Sequence, residues 1–482
     1  MYVINIASFN LNRLPGETMK KDSQADLSRR DIIKHALAGM AGFTTMSILP
    51  TGCARTQAVP ESANPPNILL MVADDAGWRD VGYHGSEIRT PNLDRLMREG
   101  VEMDQFYVCP TCSPTRASIL TGRYASRYGI LGPIAMRSKQ TLPPETLTLP
   151  RLLQQNGYST AITGKWHVGL RPENGPRQYG FHHTYGYLHG QIDQFTHVYK
   201  NGDRSWHRND RFIEEKGHAT DLIRDEATRF ITTLRDKTKP FFLYVPFSVP
   251  HYPLQEEEKW VDPYESIENE SRRLYAASVT HMDAAVGSLV ETLETEGLRE
   301  NTLVIFISDN GGQEDWEPTF EYEGRHGPYD RLGDNRPLRD WKGSLYEGGI
   351  RVPAIINWPS RLNPSRNSQV ANAVDIYPTV AALAGLEVPE ETEIDGISLW
   401  ESCAGKGGPY PRTLYWKTSR QSALRKDDWK LVVTRSDSGE SATELYNLSS
   451  DPYEEDDLSE TEPEMVSALL KKLRVQSAID GS

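Results

Sequence analysis

Three short runs of unbroken apolar character stand out along the chain. They are Asn67-Ile68-Leu69-Leu70-Met71-Val72-Ala73, Phe241-Phe242-Leu243-Tyr244-Val245 and Thr302-Leu303-Val304-Ile305-Phe306-Ile307-Ser308. Continuity rather than polar/apolar alternation predicts strands covered on both faces, as in a parallel sheet. Between them, Val279, Met282, Val286, Leu289, Val290 and Leu293 recur on one helical face. Thr90-Pro91 ahead of Leu93, Leu96, Met97 and Gly100 offers a capping residue, a proline in the first turn and a glycine stop. Strands alternating with helices predict an α/β fold with a large, mostly parallel central sheet flanked by helices. After the breaker-rich segment Gly405-Lys406-Gly407-Gly408-Pro409-Tyr410-Pro411 the pattern changes. Short strand candidates follow at Thr413-Leu414-Tyr415-Trp416, Trp429-Lys430-Leu431-Val432-Val433 and Glu444-Leu445-Tyr446, with a terminal helix over 465–475. This reads as a smaller antiparallel sheet with a helix, giving a main domain over 67–404 and a C-terminal subdomain over 405–482. The segment 451–464 holds eight acidic residues in fourteen and reads as a solvated surface loop. No internal repeat is visible.

Each apolar run ends in residues able to do chemistry: Asp74-Asp75 after the first, His251 beyond the second, and Asp309-Asn310-Gly311-Gly312 after the third. Open α/β sheets bind ligands outside the carboxyl ends of their strands, so residues far apart in sequence are expected on one sheet edge.

Composition narrows the function classes. A net charge of −14, from 53 Lys+Arg against 67 Asp+Glu, argues against a nucleic-acid binder, which needs a basic footprint. No apolar run approaches the ~18–20 residues of a membrane-spanning helix. Four cysteines in 482 residues exclude a disulfide-built scaffold. The N-terminus reads as an export signal over 1–53. Lys20, Lys21, Arg29 and Arg30 precede a weakly apolar run, and Ser28-Arg29-Arg30-Asp31 is of twin-arginine type. The bland reading is an amphipathic helix with a chance Arg pair. Met19 opens a cleaner signal than Met1. Leu49-Pro50-Thr51-Gly52-Cys53 is similar to a lipoprotein box, with Leu49 four residues before the cysteine instead of three. Acylation of Cys53 would give the only membrane attachment. Residues 54–66, rich in Pro, Ala and Ser, read as a tether. The expected location is the periplasm or cell envelope of a bacterium.

The most informative window is Cys109-Pro110-Thr111-Cys112-Ser113-Pro114-Thr115-Arg116 through Leu120-Thr121-Gly122-Arg123. Ser113 as cap and Pro114 as opener predict a short helix ending near Gly122. Cys112 then sits at the positive end of its dipole, a place that favours an anion or a lowered thiol pKa. Three readings follow: a thiolate nucleophile, a Cys109/Cys112 redox or metal pair, or two inert thiols. Without a second Cys pair or a neighbouring His, zinc is disfavoured.

Cys112-x-Pro114-x-Arg116 followed by Leu120-Thr121-Gly122-Arg123 resembles the signature of the type I sulfatases. Further segments occur in that family's order: Asp74-Asp75, Gly164-Lys165-Trp166-His167-Val168-Gly169, Val249-Pro250-His251, Asp309-Asn310-Gly311-Gly312 and Lys342-Gly343-Ser344-Leu345-Tyr346-Glu347-Gly348-Gly349. Glu444-Leu445-Tyr446-Asn447-Leu448 with Asp451-Pro452 resembles the family's C-terminal part. Within the family, Gly186-Tyr187-Leu188-His189-Gly190, Phe247-Ser248-Val249-Pro250-His251 and Asn335-Arg336-Pro337-Leu338-Arg339 are most similar to the arylsulfatase B (N-acetylgalactosamine-4-sulfatase) branch. Pro250 directly before His251 departs from the pattern.

The resemblance implies an alkaline-phosphatase-like sandwich and a sulfuric ester hydrolase acting on a sulfated carbohydrate, a glycosaminoglycan or algal polysaccharide fragment. It implies oxidation of Cys112 to formylglycine by a maturation enzyme, attack by the hydrated aldehyde on sulfur, and a sulfo-enzyme intermediate. It also implies one Ca²⁺ held by Asp74, Asp75, Asp309, Asn310 and the modified Cys112; hard oxygen donors without thiolate or imidazole independently favour Ca²⁺ or Mg²⁺. The roles carried over are Arg116 and Lys165 on the formylglycine and sulfate oxygens, His167 as base for the collapse step, and His251 and Lys342 at the leaving group. His251 is the better acid candidate because its unperturbed pKa lies near neutrality. His189, Asp193, Arg336, Arg339 and Trp341 are substrate-pocket candidates by position. Competing functions are a phosphodiesterase or phosphonate monoester hydrolase of the same superfamily, and a non-catalytic sulfated-glycan binding protein.

Overall fold

The computed structural model describes residues 65–317 and 321–481; the export-signal, lipid-anchor and most of the tether readings fall outside them. The three apolar runs are adjacent parallel strands. Asn67–Ala73 lies between Phe241–Pro246 and Thr302–Ser308, in register Leu69↔Leu243 and Leu69↔Val304. Ser159–Lys165 and His183–Tyr187 extend the parallel set beyond Phe241–Pro246. On the other side Ala354–Asn357 joins Thr302–Ser308 antiparallel, and short strands complete a ten-stranded sheet.

The strands are apolar throughout because successive residues enter two different cores. Ile68, Leu70, Val72, Phe242, Tyr244, Leu303, Ile305 and Ile307 face one side. Leu69, Met71, Ala73, Leu243, Val245, Val304 and Phe306 face the other. Helices Cys112–Thr121, Leu149–Gln155 and Ile376–Leu383 cover the first face. Pro91–Arg98, Ala219–Arg229 and Glu270–Thr295 cover the second, the last through the predicted Met282, Val286, Leu289, Val290 and Leu293. The expected sandwich of helices around a mostly parallel sheet is therefore present.

A separate four-stranded antiparallel sheet runs Thr413–Lys417, Gln421–Lys426, Trp429–Arg435 and Ser441–Asn447. Helix Pro463–Ser477 packs Leu469 and Leu473 on its Leu424, Leu431 and Leu445. Its other face, through Leu414, Trp416, Ala423 and Val432, packs against Tyr107, Leu345 and Ile350 of the main body.

Local details differ from the sequence reading. Thr90 makes no side-chain cap to its helix; Asp283, from the long helix, accepts the Asn92 and Leu93 amides instead. Gly100 is needed for closeness, since a Cβ there would lie 2.9 Å from the Asn357 side chain. The helix begins at Cys112 after Thr111, not at Pro114, and the Ser113 hydroxyl does not cap it but accepts the Ile134 amide at 3.0 Å. The acidic segment 451–464 is mostly exposed, yet Glu454 is buried, held by Lys430.

Candidate active site

The site forms where the parallel strands end. Asp74 and Asp75 leave the first strand, and Asp309 and Asn310 leave its neighbour. The Asp309 amide donates to the Ala73 carbonyl at 3.0 Å, keeping the two exits side by side. Asp75 turns with a left-handed φ of 73°, which brings both acidic pairs into one space. The Asn310 amide donates to Asp75 Oδ1 at 2.7 Å. All four side chains are buried.

Three cations meet these carboxylates. Lys165, the last residue of its strand, donates Nζ to both oxygens of Asp74 at 2.8 and 2.7 Å. Arg116, one helical turn beyond Cys112, donates Nε and Nη2 to Asp309 Oδ2 at 3.0 and 2.7 Å, and Nη1 to the Lys165 carbonyl at 2.9 Å. Lys342 donates to Asp75 Oδ2 at 2.7 Å, and His251 Nε2 lies 3.7 Å from the same oxygen. Cys112 Sγ is 3.1 Å from His167 Nδ1, while His167 Nε2 is 2.8 Å from the Ile134 carbonyl. A carbonyl only accepts, so Nε2 carries the proton of the neutral ring and Nδ1 presents its lone pair to residue 112. The predicted catalytic and metal residues, Asp74, Asp75, Cys112, Arg116, Lys165, His167, His251, Asp309, Asn310 and Lys342, thus form one cluster despite their separation in sequence.

Burial controls the protonation of this cluster. Asp74 is pushed up to about 8, first by burial and then by Asp309 and Asp75, against the pull of Lys165 and Arg116. Burial also raises the Cys112 thiol, so the lowered thiol pKa expected at a helix N-terminus is absent: desolvation outweighs the dipole and the lysines. His167 is held well below the usual range by burial, then Lys165 and Arg116. His251 is likewise lowered by burial, Lys342 and Lys165, so it does not keep the near-neutral pKa that favoured it as the acid. Its Nδ1 donates to the Tyr252 carbonyl at 2.6 Å, which leaves Nε2 unprotonated in the neutral ring. Burial alone would lower Lys342, but Asp75 raises it, and it stays an ammonium.

The donor set fits a hard divalent cation. Asn310 Oδ1 is buried and has no hydrogen-bond partner, an expensive state for an amide oxygen. Three carboxylates share its space, and a divalent ion would relieve both the orphan oxygen and their mutual repulsion.

Beside the cluster lies a cavity of about 170 Å³ lined by Cys112, Ile134, His167, Gly190, Gln191, Tyr199, Lys200, His251, Tyr252, Gln313 and Lys342, among others. None of the five substrate candidates lines it. His189 is buried behind the wall, bonded to Ser205 at 2.8 Å and stacked on Tyr199 at 4.4 Å. Asp193 is spent on the Phe195 and Thr196 amides and His326. Arg336 pairs with Asp334 on the outside. Arg339 lies over the Tyr346 ring and donates to the Tyr446 hydroxyl. Trp341 is half-buried beside them. Tyr199 and Lys200 carried no sequence signal, whereas Gln191, Tyr252 and Gln313 directly follow the segments ending in Gly190, His251 and Gly312.

Residues 66–386 match the Sulfatase family, and residues 340–478 match the N-sulphoglucosamine sulphohydrolase C-terminal family. The chain belongs to the sulfatase family. The family's sulfatases are sulfuric ester hydrolases that generally use a formylglycine and a divalent metal, and the cluster here holds acidic groups able to bind a metal. Arylsulfatase J of Mus musculus is 31% identical over 91% of this chain and 83% of its own length. N-acetylgalactosamine-6-sulfatase of Rattus norvegicus is 33% identical over 73% of this chain and 68% of its own. The solved structure of Ps i-CgsB in complex with k-i-k-neocarrahexaose superimposes with a TM-score of 0.78 at 31% identity, covering 86% of this chain and 94% of that one. PsFucS1 sulfatase from Pseudoalteromonas sp. gives a TM-score of 0.73 at 27% identity, covering 86% of this chain and 91% of that one. These relatives establish the family without fixing the arylsulfatase B branch. Among the described residues no helix is long and apolar enough to cross a membrane.

Proposed function

We propose that this sulfatase releases sulfate from a sulfated carbohydrate, with Cys112 converted to formylglycine by a maturation enzyme and a single Ca²⁺ held by Asp74, Asp75, Asp309, Asn310 and the modified residue 112. The observation that carries the reading is the placement of residue 112 between the His167 Nδ1 lone pair and a buried cluster of carboxylates and fixed cations. The names of the relatives, sulfatases of N-acetylgalactosamine and a neighbour solved with a carrahexaose, support a glycan substrate. Formylglycine supplies a hydrated carbon whose hydroxyl serves as nucleophile, and the cation supplies positive charge for that hydroxyl and the sulfate oxygens.

The chain's own residues do the rest. Arg116 and Lys165 are buried cations that need no reorganisation as charge develops on the sulfate. His167, with its proton fixed on Nε2 by Ile134, takes a proton at Nδ1. Lys342 is placed as an ammonium to meet the leaving oxygen, and His251 stands beside it as a neutral ring, held so first by burial and then by Lys342 and Lys165. The test combines two measurements. Mass spectrometry of the residue 112 peptide should show the aldehyde, and paired nitrophenyl esters should release sulfate in preference to phosphate. An unmodified thiol in fully active protein, or preferential phosphate release, overturns the proposal.

Export to the periplasm or cell envelope, with acylation at Cys53, is a separate proposal resting on Arg29-Arg30 and Leu49–Cys53. Radiolabelled fatty acid incorporation that survives in a Cys53→Ala variant would overturn the anchor.

A further inference from the structure

A second hollow adjoins the catalytic cavity, and the sulfate chemistry makes no use of it. The segment between them is a hairpin. Val198 and Arg204 pair as an antiparallel bridge, and the turn closes with the Tyr199 amide on Asp203 and the Gly202 amide on Tyr199, at 2.9 and 2.7 Å. Gly202 takes the left-handed φ of 82° that this turn requires. Tyr199 and Lys200 line the catalytic cavity, whereas Val198 and Arg204 line a trough of about 380 Å³. The hairpin is therefore a wall common to both.

The floor of the trough is built of stacked and hydrogen-bonded side chains that connect to the active-site wall. His197 stacks on Trp206 at 4.5 Å and 25°. Ser205 accepts the Leu188 and His189 amides at 3.1 and 3.2 Å, and His189 stacks in turn on Tyr199. The Glu215 carboxylate at the floor is already spent on Tyr185, Trp206 and Arg208. The rim is open. Phe195 is 40% exposed, T-shaped against the His218 ring at 5.2 Å and otherwise open, and Thr196, Arg204, Glu214 and Lys216 are exposed around it. An exposed aromatic face combined with neutral, cationic and anionic hydrogen-bonding groups matches a pyranose, which has an apolar C–H face and a ring of hydroxyls. Arg204 and Lys216 are offset by Glu214, so the rim suits uncharged or sparsely sulfated units rather than a dense polyanion.

We propose that this trough binds the sugar units next to the sulfated one, so that the enzyme acts on an oligosaccharide laid across the 198–204 hairpin. The inference rests on the sulfatase reading above and extends it to chain length. Phe195 and Arg204 are exposed and outside the catalytic cluster, so their removal should leave the fold and the sulfate chemistry intact. Phe195→Ala and Arg204→Ala are to be compared with the parent enzyme on 4-nitrophenyl sulfate and on size-fractionated oligosaccharides from carrageenan and from chondroitin sulfate. For the oligosaccharide that the parent desulfates, kcat/KM for sulfate release should fall about tenfold, the equivalent of ~1.4 kcal/mol, through KM, while 4-nitrophenyl sulfate is unaffected. Equal losses on both substrates, or no loss on the chain, overturn the trough. Sulfate release from 4-nitrophenyl sulfate but from no oligosaccharide also overturns it, and leaves the sulfatase reading standing. Sulfate release from none of them overturns that reading and this inference together.

Discussion

Gly190 is the tightest fit around the proposed base. A Cβ there would lie 2.6 Å from His167 Cε1 and 2.7 Å from Nε2, and the ring cannot retreat without losing its bond to Ile134. Gly190→Ala should therefore fold normally but turn over about 10²-fold more slowly, the cost of a displacement on the scale of 1 Å at a reacting group. Steady-state rates alongside a melting curve check this; an unchanged rate would remove His167 from the proton path. Asn310 sets the second expectation. Its orphan oxygen predicts that protein stripped with a chelator is stabilised by added calcium, by about 2.7 kcal/mol at a hundred times Kd. Asn310→Ala should need more calcium for the same shift in Tm. No shift in the parent protein would argue against an ion at this site. Asp74, Asp75, Asp309 and Asn310 were legible in the sequence because each follows directly on an apolar run whose end is a strand end. Tyr199 and Lys200 were not, because they reach the cavity on a loop without periodicity.

Among the elements, helix Pro91–Arg98 illustrates what pattern reading captures and what it misses. Its apolar stripe and its proline start were visible, but its cap is not local. Asp283 accepts the Asn92 amide at 3.1 Å, the Leu93 amide at 2.8 Å and the Asn92 side chain at 2.8 Å, and so bolts the short helix to the long one. No window of sequence around Thr90 contains that partner. Asp283→Ala leaves these donors unpaired and should cost about 1–3 kcal/mol in chemical denaturation. Burial raises Asp283 to about 6 despite those bonds. A folded-state pKa above the unfolded one means that its contribution is fully present below about pH 4 and is lost as pH rises through about 6. Asp283→Asn keeps an acceptor without the charge, so its stability should lose that pH-dependent component over the same window. A variant with the parent's full pH dependence would show that another group titrates there. The strands needed no such distant help: their two-sided burial by the cores around Leu70 and Leu69 is written in the runs themselves.

Across the whole molecule, the small antiparallel sheet is joined to the catalytic body by a buried ion cluster. Lys430 Nζ lies 2.9 Å from Glu347 and 2.8 Å from Glu454, with all three side chains fully buried. Glu454 also accepts the Glu347 amide at 2.7 Å, and the Tyr107 hydroxyl donates to Glu347 at 2.6 Å. Helix Glu347–Ile350, fixed in this way, stands against Gly311, the residue directly after Asn310. The Gly311 amide donates to Gly349 at 3.0 Å, and a Cβ on Gly311 would collide with the Gly348 carbonyl at 1.8 Å. Lys430 thus braces the site from a sheet that contributes nothing to its chemistry. Lys430→Met preserves the shape but takes the shared cation from two buried carboxylates, leaving Glu347 with Arg351 at 3.7 Å and the Tyr107 hydroxyl, and loss of one partner of a buried ionic cluster costs about 3–5 kcal/mol. The urea midpoint should fall accordingly and should not be restored by salt, because a Debye length of ~8–10 Å describes solvent-exposed charges and not these. Calcium affinity should weaken in the same variant, since the strut behind Gly311 loosens. Adding Glu454→Gln removes one of the stranded charges and should recover part of the stability; failure to do so would mean that Lys430 acts through packing and not through its charge.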